Sequence, residues 1–307
     1  MMMRLIFVLG CLLLWSASMA PAQESASFVA GKSLACGDYS GKKIFLIDPD
    51  GKVAWDVASG PCNELWVLPN GNFLVNTGFG VKEITRDKQV VFEYSSKSEI
   101  YACQRLANGN TFVGECNSGR LLELTPDGRT VKEVRLLPDG TDGGHVYMRN
   151  ARQLPNGNYL VTHYGRQKVC EYDPQGKLVW QTAAPGGPHS VARLPNGHTL
   201  IATGDLRKDP QLIEVDRESN VVWQLSNRDL PDAPLRLLTG FHRLPNGNTL
   251  ISNWLGHGQF GKAPHLLEIT PDKRIAWTYT NHTDMRTIAT VQVLDADGQV
   301  LPGEMLR

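Results

Sequence analysis

The residues best suited to chemistry in this 307-residue sequence are four histidines and an arginine. His145, Arg149, His163 and His189 follow one another in the central part of the chain, and His257 lies further on. Imidazole exchanges protons near neutral pH, and a guanidinium beside it can hold an anion or a developing negative charge. His189, His163, Arg149 and His145 are therefore the catalytic candidates. Asn63, Glu64, Tyr101, Glu115, Tyr164, Asp205, Trp254 and His257 are the candidates for binding a ligand, through ring stacking and hydrogen bonds. Each also has a structural reading. Arg149 could pair with a loop carboxylate, His189 could bond the backbone after Gly186-Gly187-Pro188, and Tyr164 and Trp254 could plug loops. A metal site made by His145, His163 and His189 has no diagnostic ligand spacing behind it, so no metal is assigned.

What must position these residues is a repeat. A turn reads Leu68-Pro69-Asn70-Gly71-Asn72 and returns as Leu106-Ala107-Asn108-Gly109-Asn110 and Leu154-Pro155-Asn156-Gly157-Asn158. It occurs again as Leu194-Pro195-Asn196-Gly197-His198 and Leu244-Pro245-Asn246-Gly247-Asn248. Asn-Gly favours a type I′ hairpin turn, with positive φ at both central positions. A short strand follows each copy. Then comes a strand with a recurring glutamate (Glu83, Glu123, Glu171, Glu214, Glu268), a second turn such as Thr125-Pro126-Asp127-Gly128, and a strand ending in an aromatic (Trp55, Phe92, Trp180, Trp223, Trp277). Successive turn asparagines are 38, 48, 40 and 50 residues apart, the length of a four-stranded propeller blade. The first copy lacks its first strand, and the C-terminal Thr287–Leu294 supplies one. The expectation is an all-β, six-bladed β-propeller of four-stranded blades, with one blade closed by pairing of the N- and C-terminal strands.

Calling the strands of each repeat a to d, the tight a–b and c–d turns share one face. The b–c and d–a connections share the other, and several are long: Leu136–Val146, Gly204–Pro210, Ser226–Leu238 and Trp254–Pro264. Irregular loops on a rigid scaffold are where binding residues concentrate. Five residues before each turn leucine, at the start of strand a, stand Asn63, Tyr101, Arg149, His189 and Thr239, with Ala289 in the C-terminal copy. Three before it stand Leu65, Cys103, Ala151, Val191, Phe241 and Val291. The second column is uniformly apolar, as packing between repeats requires. The first is mostly polar and differs in every copy, which marks the channel mouth on the loop face as the candidate site.

Composition sets outer limits. Lys and Arg total 31 against 31 Asp and Glu, so an excess of basic residues for nucleic acid is absent. Residues 1–22 read as a signal peptide: Arg4, an apolar run from Leu5 to Trp15, and a small-residue cleavage site at Ala20-Pro21-Ala22. Export to the periplasm or beyond follows, with no later membrane span and with 23–307 as a single propeller domain. Of the five cysteines after that segment, Cys36–Cys62 and Cys103–Cys116 are disulfide candidates, although small buried thiols are the preferred reading. No G-x-S-x-G elbow, Walker A loop or H-E-x-x-H helix occurs.

The unit Arg193-Leu194-Pro195-Asn196-Gly197-His198-Thr199-Leu200-Ile201, followed by Leu212-Ile213-Glu214-Val215-Asp216 and Val221-Val222-Trp223, resembles bacterial propellers with PQQ-binding-like or arylsulfotransferase-like repeats. PQQ-dependent dehydrogenases with such repeats are larger rings with adjacent cysteines and a calcium site. This sequence lacks those features, so PQQ is not expected and the cofactor is left unassigned. The arylsulfotransferase likeness implies His189 as acceptor of a sulfuryl group, with His145, Arg149 and His163 stabilising the anion. Three functional expectations follow. The first is an exported monomer binding a small polar ligand, a sugar or an anion, at the channel mouth. The second is an enzyme of sulfuryl-transferase, hydrolase or lyase type, and the third a scaffold docking a protein partner.

Overall fold

The tight turns shape the fold. In the computed structural model, which describes residues 27–204 and 208–301, Gly71 N–H donates to the Leu68 carbonyl at 2.8 Å, and Leu68 N–H donates to the Asn72 carbonyl at 2.8 Å. Only the glycine is left-handed, with φ of 82° at Gly71 and 86° at Gly197. The turn is therefore a type I turn closed by a bulged glycine, a correction to the type I′ expectation. Proline presets the first central position for type I, so the asparagine stays right-handed and the glycine alone turns over. The second turn of each repeat closes in the same way, as at Thr125–Gly128 and Asp173–Gly176.

The chain forms β1 (Ser33–Asp38), β2 (Lys43–Ile47), β3 (Val53–Ala58), β4 (Leu65–Val67), β5 (Phe73–Asn76), β6 (Gly78–Ile84) and the 16-residue β7 (Val90–Arg105). β8 (Thr111–Glu115), β9 (Arg120–Leu124), β10 (Thr130–Arg135), β11 (Asn150–Gln153), β12 (Tyr159–His163), β13 (Lys168–Tyr172) and β14 (Leu178–Ala183) follow. Then come β15 (Pro188–Arg193), β16 (Thr199–Thr203), β17 (Leu212–Val215), β18 (Val221–Leu225), β19 (Leu238–Arg243), β20 (Thr249–Asn253), β21 (Leu266–Ile269), β22 (Ile275–Tyr279) and β23 (Ile288–Leu294). Every pairing is antiparallel. β11–β14, β15–β18 and β19–β22 form four-stranded sheets, and β4–β10 form one seven-stranded sheet because β7 pairs with β6 up to Ser95 and again at Ile100, and with β8 from Ile100 onward. β23 joins the sheet of β1–β3, with Leu34 opposite Val293. No helix occurs among the described residues, and the arrangement is that of a propeller-type fold. The signal peptide expected at 1–22 lies outside the described residues.

Alternation along each strand buries both faces of the inner strands between consecutive sheets. Leu160 and Val169 pack on Val191, Ile201 and Ile213, and Leu250 and Leu266 of the last sheet pack on Leu34, Phe45 and Val291 of the first. The apolar column Leu65, Cys103, Ala151, Val191, Phe241 and Val291 is buried throughout. All five cysteines in the described residues are free and buried, and burial pushes their thiols up.

Polar straps tie the sheets together. Glu171, on β13, is buried and accepts hydrogen bonds from Asn158 Nδ2 in its own repeat turn and from Arg193 and Arg217 of the next sheet, each at 2.7 Å. Arg193 also donates to the Gly197 carbonyl of its own turn at 3.0 Å. The pattern recurs with Glu83, Asn72 and Arg105, and with Glu214, His198 and Arg243. Glu268, where no arginine follows, instead receives Ser27 Oγ and the Phe28 and Val29 amides from the N-terminal segment. The strand-d aromatics add a second strap. Trp55, Trp180 and Trp223 each donate Nε1–H to a turn carbonyl of the next sheet, those of Arg86, Arg217 and Pro271.

Glu171→Ala leaves Arg193 buried without its counter-charge and should cost about 3–5 kcal/mol in urea unfolding. Glu123→Ala, which removes only acceptors for Asn108 and Asn110, should cost about 1–2 kcal/mol. Equal losses would contradict the inter-sheet role of the arginine. Burial works to raise the Glu171 carboxyl, but bonds from Asn158 and Arg217 and the charges of Arg193 and Arg217 outweigh it and hold the group below its usual range. Its stabilisation is therefore complete above the unfolded value of about 4.3 and is lost as pH falls through the lowered folded value. Unfolding midpoints of wild type and Glu171→Gln should converge across that acid range.

Candidate functional site

The polar column at the starts of the inner strands converges on one cavity. Asn63, Tyr101, Arg149, His189 and Thr239 line a space of about 200 Å³, joined by Tyr39, His145, Tyr164, Leu237, Trp254 and His257 from the surrounding connections. Asn63, Arg149, His189 and Thr239 stand close to the starts of their strands, Tyr101 stands inside β7, and together they line the same space.

Arg149 sits at the centre. Its guanidinium carbon lies 4.4 Å from the Tyr101 ring centre and 5.1 Å from that of Tyr164, so it is held between two aromatic faces. The residue is only 8% exposed, its Nε is buried without a hydrogen-bond partner, and it forms no ion pair among the described residues. Among the described residues, no carboxylate lines the cavity. A buried cation with unused donors can supply charge-assisted hydrogen bonds to an anion.

The two histidines beside it differ. His189 stacks edge-on against Tyr164, with centres 5.0 Å apart, and neither of its nitrogens has a hydrogen-bond partner among the described residues. Burial, then the charges of Arg149 and His145, holds its imidazole well below the usual histidine range, so it is neutral. His145 is on the exposed rim, 5.9 Å from the Tyr101 ring centre, with Nδ1 2.6 Å from Glu99 Oε2. Burial pushes the Tyr101 hydroxyl up, which keeps it protonated.

Two ring walls depend on glycine. At Gly187, with φ 76°, an added Cβ would collide with the Tyr164 ring, and at Gly256 it would collide with the Trp254 indole. Trp254 in turn packs edge-on against His257 at 5.0 Å and Tyr39 at 6.1 Å.

The structure thus gathers His145, Arg149, His189, Asn63, Tyr101, Tyr164, Trp254 and His257, and puts three other candidates elsewhere. His163 is buried behind the mouth, with Nδ1 3.1 Å from the Tyr147 carbonyl and Nε2 2.8 Å from the Tyr172 hydroxyl. Burial and the charges of Arg166 and Lys168 lower it to about 4 against the bond to Tyr147, and the His145–His163–His189 trio is not assembled. Glu64 lies in the central channel, gripped by both Arg152 terminal nitrogens at 2.8 and 3.0 Å and by Asn150 at 2.8 Å. The channel space there is about 30 Å³, room for little more than water. Glu115 is fully buried beside a separate groove and accepts bonds from Tyr94, Ser96, Ser118 and Arg120. Asp205 lies outside the described residues.

Tyr39, Leu237 and Glu99 were not among the sequence candidates. Leu237 closes a long loop already marked by length, whereas Tyr39 lies in the short turn after the first b strand. Glu99 carried no such signal either, because β7 runs on through the seven-stranded sheet without a loop.

Comparison with known proteins agrees with this architecture. Residues 117–253, somewhat under half of the chain, match the PQQ-type repeat family described as outer membrane protein assembly factor BamB. No curated protein matches the sequence. Among solved structures, a protein of unknown function from Bacteroides caccae is 26% identical, with a TM-score of 0.76 over 85% of this chain and 98% of that one. A virginiamycin B lyase from Staphylococcus aureus is 14% identical, with a TM-score of 0.57 over 88% and 89% of the two chains. A streptogramin B lyase is 15% identical, with a TM-score of 0.58 over 89% and 95%. The chain therefore carries a PQQ/BamB-type repeat within a propeller-type fold.

Proposed function

We propose that the cavity around Arg149 binds a small ring-shaped molecule carrying one negative charge. The observation that supports this reading is the buried guanidinium between two tyrosines, which has no ion pair and no lining carboxylate beside it among the described residues. Size supports it too. A cavity of about 150 Å³ accepts benzene, so about 200 Å³ suits one ring with a carboxylate or sulfate attached. Asn63 and Thr239 offer neutral polar contacts, as a sugar ring would use. A second reading, an enzyme of transferase, hydrolase or lyase type, is favoured by His189, whose nitrogens have no partner among the described residues beside the cation.

The frame we read as six four-stranded blades. Dividing the seven-stranded sheet within β7 yields two of them, and the β1–β23 pair closes the ring. Export rests on the signal peptide read at 1–22, and PQQ/BamB-type repeats are typical of periplasmic or exported proteins.

Calorimetry with glucuronate, benzoate, sulfate and uncharged glucose tests the ligand class. The ring acids should bind at least tenfold more tightly than glucose. Arg149→Gln should weaken them by about 10- to 100-fold, the worth of charge-assisted hydrogen bonds. Equal binding of glucose and glucuronate, or an unchanged Arg149→Gln, would sink the reading. Gly187→Ala should displace Tyr164, cost about 1–3 kcal/mol in urea unfolding through overpacking, and weaken the same acids several-fold. Wild-type affinity in that variant would remove Tyr164 from the site.

A further inference from the structure

The ring contacts at the mouth form a chain with the cation in the middle. His189 stacks on Tyr164 at 5.0 Å, and Arg149 lies 5.1 Å from that same ring. On its other side Arg149 lies 4.4 Å from Tyr101, whose ring packs on His145 at 5.9 Å. A carboxylate held by Arg149 would therefore have one histidine on each side. Their surroundings are opposite in kind. His189 has no hydrogen-bond partner among the described residues and faces a cation, which disfavours its charged form. His145 has Nδ1 2.6 Å from Glu99 Oε2, which orients the ring. A neutral imidazole without a partner among the described residues can take a proton, and one oriented by a carboxylate at the rim can deliver one.

We propose that this mouth catalyses β-elimination on uronosyl residues, with Arg149 binding the carboxylate, His189 acting as base and His145 as acid. The proposal rests on the reading of the cavity as a ring-anion site. Arg149 withdraws charge from the carboxylate and makes the hydrogen on the neighbouring ring carbon more acidic. A nitrogen of His189 takes that proton. The C–H electron pair becomes a carbon–carbon double bond to the next ring carbon, whose bond to the glycosidic oxygen breaks. The leaving oxygen keeps that electron pair and receives a proton from His145. One bond to hydrogen and one to oxygen are lost, and one double bond and one hydroxyl are gained. Exchange with solvent returns the proton from His189 to His145, so the cycle needs no oxidant, reductant or second substrate. An aromatic acid fits the same cavity but lacks both the acidic hydrogen and the leaving group.

The test uses the purified chain with a panel of 4-linked uronosyl disaccharides, following the ultraviolet absorbance of the conjugated unsaturated product. Binding of glucuronate is measured in parallel by calorimetry. Wild type should form product. His189→Ala and His189→Gln should each lose at least about 100-fold in rate, with glucuronate affinity within threefold of wild type, which also shows that the mouth is folded. His145→Gln should slow the reaction with the same affinity retained. Glucuronate binding without product from any disaccharide would overturn the elimination and leave the binding reading standing. Undiminished product from both His189 variants would overturn the assignment of the base. Absence of both binding and product would overturn the ring-anion reading and this proposal with it.

Discussion

The structure depends on a buried carboxylate that is shared between neighbours. A strand-c glutamate is costly to desolvate alone, and it is tolerated because its oxygens are claimed from two directions. The amide of its own turn holds one, and the arginine or chain segment of the next sheet holds the other. The arginine also grips its own turn carbonyl, so a single side chain links two hairpins. Each sheet is thereby oriented against the next by hydrogen bonds of fixed geometry, while the apolar columns between them supply the bulk of the burial.

That division of labour frees the opposite face. The repeated Asn-Gly turns and the glutamate straps lie at one end of the strands. At the other end each inner strand begins with a different side chain, and the connections vary in length without disturbing the packing. Arg149 is buried over the rings of Tyr101 and Tyr164, with no counter-ion among the described residues. The Glu64–Arg152 pair lies beside the cavity, where the remaining space is about 30 Å³.

Much of this was legible in the sequence, and for a physical reason. Turn chemistry is local, so the Leu-Pro-Asn-Gly copies announced the repeat, and register relative to the turn leucine assigned Asn63, Tyr101, Arg149, His189 and Thr239 to one mouth. The turn type was misread because Asn-Gly was taken as the central pair, whereas the turn is centred one residue earlier, on Pro69-Asn70 and equally on Ala107-Asn108. His163, Glu64 and Glu115 could not be separated from true cavity residues, since their partners Tyr147, Arg152 and Arg120 are set by tertiary packing. Glu99 was invisible, because its position depends on a strand that continues where a loop was the natural expectation.

That continuous strand, β7, has an evolutionary consequence. Between Phe92 and Cys103 the chain runs on as one strand without a loop, and its ladder is irregular at only two places, between Ser95 and Ile100 and at Tyr101. A bulge is where a strand absorbs an extra residue, so a change of length here is confined to those places. Side chains alternate faces along the regular parts, and a single residue added or lost there would reverse every one beyond it. Glu99 would leave His145, and Tyr101 would turn away from Arg149. The connections made by loops are free to drift, whereas this strand keeps the facing of Glu99 and Tyr101 fixed.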